Sequence, residues 1–294
     1  MANPSIGIIG GSGLYDMEGV TGLRRVPVQT PFGPTSDDIS VGELDGHTVA
    51  FLSRHGRGHR LAPHEIPYRA NIWALKHLGV RWLVSVSAVG SMREGIAPGE
   101  LVMVDQFIDR TRARTSTFFE DGVVAHIGFA DPVCGLLRSA LCDAAGRVDV
   151  RFHDGGTYVC IDGPQFSTRA ESQLFRSWGV SVIGMTNLPE ARLAREAQLA
   201  YATIALATDY DCWHQSEEEV TVAAVVAIMK KNVANAQRVI RTALPRIMEL
   251  GPSPAFAALQ HATMTSPDVI PDSAQQRLAL LLDDREFHTP EVAQ

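Results

Sequence analysis

The 294-residue chain has few cysteines, no long apolar run and no excess of positive charge. Each lack excludes something. Cys134, Cys142, Cys160 and Cys212 form no C-x-x-C pair and no disulfide-framework spacing, so free thiols in a reducing cytoplasm are expected. No stretch approaches the length of a membrane span, so no membrane partner is expected. The start "MANPSIGIIGGSG" shows no basic segment followed by an apolar one, so no signal peptide is expected. Lys and Arg number 26 against 33 Asp and Glu, and the formal charge of −7 argues against a nucleic-acid partner. What is present, 45 % hydrophobic residues, suffices for a sizeable core.

Strand-like and helix-like patterns alternate along the chain. "SIGIIG" reads as a buried strand entering a glycine loop, and "DISVGELDGHTVAFLSRHG" as two strands joined at "LDGH". "IPYRANIWALKHLG" reads as a helix stopped by Gly79, and "RWLVSVSAVGS" as a strand followed by a small-residue turn. "ELVMVDQFIDR" reads as one strand, and "DPVCGLLRSALCDAAG" as a helix with an acidic start and a glycine end. "GTYVCIDGPQF" reads as a strand and loop, followed by a helix whose Thr168 and Glu171 form a capping box. "VSVIGMT", "LPEARLAREAQ" and the run to Ala207 form a βαβ-like sequence. From Glu219 to about Leu244, Val222, Val225, Met229, Val233, Ala236 and Ile240 form one helical stripe. The expectation is a single α/β domain over 1–250, with a mixed, mostly parallel central sheet flanked by helices. A tail over 251–294 contains a candidate docking helix, "AQQRLALLLDD", and a frayed end, "REFHTPEVAQ".

The chemistry concentrates where strands end. In "TDYDCW", Asp209 and Asp211 are two residues apart, so on an extended segment both face one side. Such a pair suits a solvated turn, or a site that uses a carboxyl whose proton is retained beside its neighbour. The glycine loop "GIIGGSGLYD" fails the dinucleotide spacing, because Asp16 stands where the third glycine belongs, and it is neither a Walker loop nor a nucleophile elbow. It remains either a tight turn or an anion cradle with Ser12 as donor. In "SRHGRGHRLAPH", Arg54 offers a planar fork to phosphate oxygens, although a solvated basic loop would read the same. His55, His59 and His64 lack a completing ligand apart from Glu65, and the arginines would repel a cation, so no metal is expected. "VSVSAVGS" and "IGMTNLPE" add small polar loops. If these loops meet at one sheet end, the ligand has an anionic part and a basic heterocyclic part.

These motifs in this order resemble the trimeric purine nucleoside phosphorylase superfamily, and within it the branch acting on 5′-methylthioadenosine. The resemblance rests on "IIGGSGLYD", "TPFGPTSD", "RHGRGH", "YRANIWALK", "SAVGS", "DQFIDRT", "GPQFSTRAES", "GMTNLPEA" and "TDYDCW", spanning residues 6 to about 245. It implies reversible phosphorolysis with inorganic phosphate as co-substrate and no metal or organic cofactor. It implies that Ser12, Arg54, His55, Ser87, the Ala88 backbone and Thr186 hold phosphate. Met185 would lie against the ribose and Phe166 against the base, while Ser167, Asp209 and Asp211 face the base. Val222, Val225 and His126 of a neighbouring subunit in a homotrimer would surround the 5′ substituent.

On this reading Asp209 gives a proton to, or shares one with, purine N7, and Asp211 orients it. A carboxyl at 209 accepts from a 6-amino group, whereas the 6-oxopurine branch typically has Asn there. Gly184 departs from the Asn common in the methylthioadenosine branch and admits the alternative of inosine, guanosine or methylthioinosine as substrate. An NAD-dependent oxidoreductase fails on the glycine spacing. A silent nucleoside-binding protein would not need the acid and phosphate ligands.

Overall fold

In the strand Trp82–Ser91, Trp82, Val84 and Val86 enter one apolar cluster, while Leu83 and Val89 enter another. The period of two makes this strand the wall between two cores. Ala200–Tyr210 repeats the pattern, with Ala202, Ile204 and Leu206 on one side and Tyr201, Ala205 and Ala207 on the other. Each large aliphatic buried this way contributes about 1.5–3 kcal/mol, which sets the register of the sheet.

The computed structural model describes residues 3–11, 13–14, 17–214 and 222–282, and the side chains of 222–226 are not described. Its strands are β1 (Ile6–Gly10), β2 (Val20–Val26), β3 (Ile39–Leu44), β4 (His47–Ser53), β5 (Trp82–Ser91) and β6 (Leu101–Met103). They continue with β7 (Gln106–Arg110), β8 (Phe152–Asp154), β9 (Thr157–Ile161), β10 (Val182–Gly184) and β11 (Ala200–Tyr210). The helices are α1 (Tyr68–His77), α2 (Gly135–Arg147), α3 (Arg169–Ser177), α4 (Asn187–Glu196), α5 (Val222–Met248) and α6 (Asp272–Leu278).

One path through the sheet runs β2-β3-β4-β1-β5-β10-β9-β7, and a branch leaves β5 through β11 and β6 to β8. Among the described residues six of the ten pairings are parallel. Helices α2 and α5 pack on one face, and α1 and α4 on the other. The chain is therefore a single α/β domain with a mixed, mostly parallel sheet flanked by helices, as expected. Among the described residues no helix is long and apolar enough to cross a membrane.

Several elements match their sequence signals. The β3–β4 hairpin turns at Asp45 and Gly46, both at positive φ (49° and 82°), as a two-residue turn requires. The Thr168–Glu171 capping box opens α3. Others differ. "SAVGS" is no turn, because β11 pairs with β5 as far as Ser91. "ELVMVDQFIDR" splits at Val104–Asp105, so β6 joins β11 and β7 joins β9. Helix α2 starts after Cys134, leaves Asp131 outside, and runs through Gly146. Strands β10 and β11 are not a parallel βαβ pair, since β5 lies between them, antiparallel to β10 and parallel to β11. In the tail, Leu259, Ala262, Ile270, Ala274 and Leu278 are buried in the cluster that α1 and α4 share. The segment "REFHTPEVAQ" lies outside the described residues.

Glu196, at the end of α4, is buried and accepts hydrogen bonds from the Phe118 amide (2.7 Å) and the Thr117 hydroxyl (2.8 Å). Burial outweighs these bonds and raises its pKa to about 7. The folded protein therefore holds a proton here that the unfolded chain releases near 4.5. Stability from this group is full below pH 4.5 and is lost as pH rises through about 7. The loss is on the order of 3 kcal/mol. Glu196→Gln is expected to flatten the slope of unfolding free energy between pH 5 and 8, measured by urea titration. An unchanged slope would assign it to another group.

Candidate active site

Strands β4, β1, β5 and β11 lie side by side and parallel. Strand β5 pairs with β1 only from Trp82 to Ser85, and reaches β10 only at Gly90 and Ser91. Residues 86–89 thus have β11 on one edge and, among the described residues, no strand on the other. Polar groups from separate strand ends gather along this fork.

Arg54 follows β4 and is almost fully buried. Its Nε and NH2 donate to Glu190 Oε2 (2.6 Å) and Oε1 (2.9 Å). NH2 also donates to Ser85 Oγ (2.7 Å), and NH1 to the Val86 carbonyl (2.9 Å). Burial pushes its pKa down, and the Glu190 carboxylate more than restores it. The fork edge expected to meet phosphate is therefore occupied by Glu190. Of the five N–H groups, one NH1 hydrogen has no acceptor among the described residues.

His55 is buried beside it, with Nδ1 2.9 Å from the Leu61 carbonyl and its ring stacked on His59. Burial, with Arg54 and His59 nearby, pulls its pKa down to about 4. The ring is thus neutral, and the carbonyl assigns the proton to Nδ1. Nε2 then presents a lone pair, able to accept from a P–OH group.

Ser87 Oγ stands 3.1 Å from Thr186 Oγ1 and 3.3 Å from the Tyr158 hydroxyl. Two expected phosphate ligands are thus brought together, while Ala88 beside them is exposed. A Cβ at Gly184 would fall on the Tyr158 hydroxyl. Glycine at 184 is accordingly a steric requirement of Tyr158, whatever base is bound. Ser12, expected to cap this end, lies outside the described residues; the flanking Gly13 carbonyl accepts from Gln237 of α5 (2.7 Å).

Further along β5, Gly90 pairs with Asp209 across a bulge at Ala207–Asp209. A Cβ on Gly90 would lie 3.2 Å from Asp209 Oδ1 and 3.3 Å from Asp211 Cβ, so both acids close on this glycine. The bulge adds Thr208 and re-aims the residues after it. Thr208 Oγ1 lies 2.6 Å from Asp209 Oδ2. Burial, reinforced by the Asp211 charge, raises the Asp209 pKa. Asp211 is buried and accepts from Ser167 Oγ (2.9 Å), while Phe166 next to Ser167 is 81 % exposed.

Met185 is half-buried, and its carbonyl accepts from Arg114 NH1 (2.8 Å). Arg114 also donates to the Leu188 and Asp162 carbonyls, tying the Met185–Thr186 turn to the loop that leads to Phe166. His126 is exposed next to the isolated bridge between Ala125 and Thr263, its amide donating to the Ala262 carbonyl (2.8 Å). No hydrogen bond among the described residues joins it to the acid pair. Val222 and Val225 belong to α5, but their side chains lie outside the described residues. Among the described residues no three His, Cys, Asp or Glu side chains form a group suited to a metal.

Reading residues by motif missed Glu190, Ser85, Tyr158, Tyr201 and Arg114. A signal existed for Glu190. It is an acid on the buried face of "LPEARLA", and an acid there requires partners.

A carboxyl whose pKa burial raises, paired with β5 three residues beyond Ser87 and the hydroxyls around it, fits a glycosyl-transferring phosphorylase. The chain belongs to the phosphorylase superfamily, whose family model matches residues 5–245. Within it, the chain is similar to the S-methyl-5′-thioadenosine phosphorylase of Geobacter sulfurreducens, 58 % identical over 278 residues, 94 % of this chain and 97 % of that one. A solved methylthioadenosine phosphorylase from an antarctic soil metagenomic library superposes with a TM-score of 0.93 at 52 % identity, covering 96 % of this chain and all of that one. The Schistosoma mansoni methylthioadenosine phosphorylase in complex with adenine gives 0.81 at 35 % identity, covering 88 % of this chain and 98 % of that one.

Proposed function

We propose that this chain cleaves S-methyl-5′-thioadenosine with inorganic phosphate, giving adenine and 5-methylthioribose 1-phosphate. The observation that carries the reading is the raised pKa of Asp209 where it closes on Gly90, three residues along β5 from Ser87. Three strand residues span about 10 Å, room for a sugar between acid and anion. The relatives' names supply the substrate.

A phosphate held by Arg54 NH1, His55 Nε2, Ser87, Thr186, the Ala88 amide and Ser12 is placed to attack C1′ as the bond to N9 breaks. The electron pair of that bond passes to the purine, and Asp209 supplies the proton to N7. Asp211, held by Ser167, keeps Asp209 protonated and orients it. Met185 lies against the ribose and Phe166 against the base. The chemistry uses no metal or organic cofactor. The working form is a cytoplasmic homotrimer in which His126 of the partner subunit meets Val222 and Val225 around the methylthio group.

A 6-oxopurine substrate is the second reading, prompted by Gly184. The Tyr158 hydroxyl accounts for Gly184 independently of the base, so the 6-amino reading stands. Incubation with phosphate and methylthioadenosine, adenosine or inosine, following base release, tests it. Preferred turnover of inosine would overturn the assignment.

An apolar lining rejects a hydroxyl only weakly, by about 1–3 kcal/mol. Adenosine is therefore expected to be a poorer substrate than methylthioadenosine, though an active one. Val222→Asp, which offers the 5′-hydroxyl an acceptor, should erode or reverse that preference in kcat/KM. The same ratio in a well-folded variant would place the thioether pocket elsewhere.

A further inference from the structure

We propose that Glu190 is the positioning residue of the phosphate site: its carboxylate holds the Nε–NH2 edge of Arg54, so that a single NH1 hydrogen is turned to the anion. The inference rests on the reading of Arg54 as a phosphate ligand. Glu190 is fully buried and 136 residues from Arg54 in sequence. Its Oε1 accepts from Arg54 NH2, from Ser85 Oγ (2.8 Å) and from the Tyr201 hydroxyl (3.0 Å). Oε2 accepts from Arg54 Nε. The Tyr201 hydroxyl in turn accepts from Asn187 Nδ2 (2.8 Å), the residue after Thr186. The orientation of Arg54 is thereby tied to the turn that carries another phosphate-facing hydroxyl.

The arrangement affects the anion in two ways. A carboxylate and a phosphate both match the guanidinium edge, and a buried carboxylate holds it permanently. The Arg54 charge is also already balanced by Glu190. A bound phosphate dianion is held by one directed N–H and by neutral hydroxyls, and its attacking oxygen keeps its electron density.

The test is phosphate half-saturation, read in turnover and, without nucleoside, as the phosphate-dependent rise in melting temperature. In Glu190→Gln an amide N–H opposes an Arg54 N–H. Half-saturation is expected to rise about tenfold, the scale of one charge-assisted contact, with the nucleoside KM within about twofold of the parent. Glu190→Asp restores the charge but withdraws the carboxylate, so it should resemble the Gln variant. Tyr201→Phe keeps both charges and loses one donor to Glu190, so a rise of about threefold is expected. It carries the test if the Glu190 variants do not fold. Unchanged or tighter phosphate binding, a parallel rise in nucleoside KM, or an Asp variant like the parent would overturn the inference. Arg54→Lys separates the two levels. If it alters phosphate half-saturation while the Glu190 and Tyr201 variants do not, only the positioning role fails. If it too leaves phosphate unaffected, the phosphate reading of Arg54 fails first.

Discussion

Asp209→Asn is expected to lower kcat on methylthioadenosine by about 10²–10⁴-fold, the contribution of a positioned general acid. The amide cannot supply the N7 proton, and it can turn a donor toward a 6-oxo group, so relative activity should shift toward inosine. The pH profile supplies a second readout. The Asp209 pKa is raised by burial and by Asp211, and in the proposed mechanism the protonated form is the active one. Activity of the parent should therefore fall as pH rises through that raised value, and this limb should vanish in the variant. Stability moves in the same direction. A carboxyl whose pKa is raised by folding contributes stability that is full below its unfolded pKa and is lost as pH rises through the folded value. The Asn variant should thus melt no lower than the parent at alkaline pH. Comparable turnover on methylthioadenosine would remove Asp209 from the acid's role.

Arg54→Ala has a larger expected effect on stability than on binding alone. Taken from the sequence, the residue is a fork for phosphate oxygens, and its removal raises the phosphate KM by at least about tenfold, the scale of a lost charge-assisted contact. In the fold it is the buried partner of Glu190. Removing one partner of such a pair leaves an uncompensated charge and costs about 3–5 kcal/mol. At about 2–4 °C per kcal/mol, melting should fall on the order of 10 °C. Replacing both partners, as Arg54→Met with Glu190→Leu, should recover most of that loss in urea titrations without restoring phosphate saturation. If Arg54→Ala melts like the parent, the pair contributes little to the folded state.

Motif and period carried the reading of the sheet, the hairpin at Asp45–Gly46 and the capping box of α3, because those signals are local. The split at Val104–Asp105 was invisible, since both halves are strand-like and only their partners differ. The same limit hid the far end of β5: small residues read as a turn, yet Gly90 stays in the strand because β10 and β11 pair with it. The period of a strand set Asp209 and Asp211 on one side and left a solvated turn open; their role came from the family resemblance. Glu190 needed the fold, because its partners Arg54, Ser85 and Tyr201 come from three other parts of the chain.

The contact between Tyr158 and Gly184 has a consequence for how this site can change. Any side chain at 184 collides with a phenol ring packed against Phe107. Substituting 184 first therefore requires moving a fully buried ring, whereas trimming Tyr158 first leaves a cavity that a new residue at 184 can fill. The two positions form a one-way path, open from the tyrosine side and closed from the glycine side. Libraries that vary 184 alone should return glycine, and those that vary both should return a bulkier residue at 184 only where 158 has become smaller.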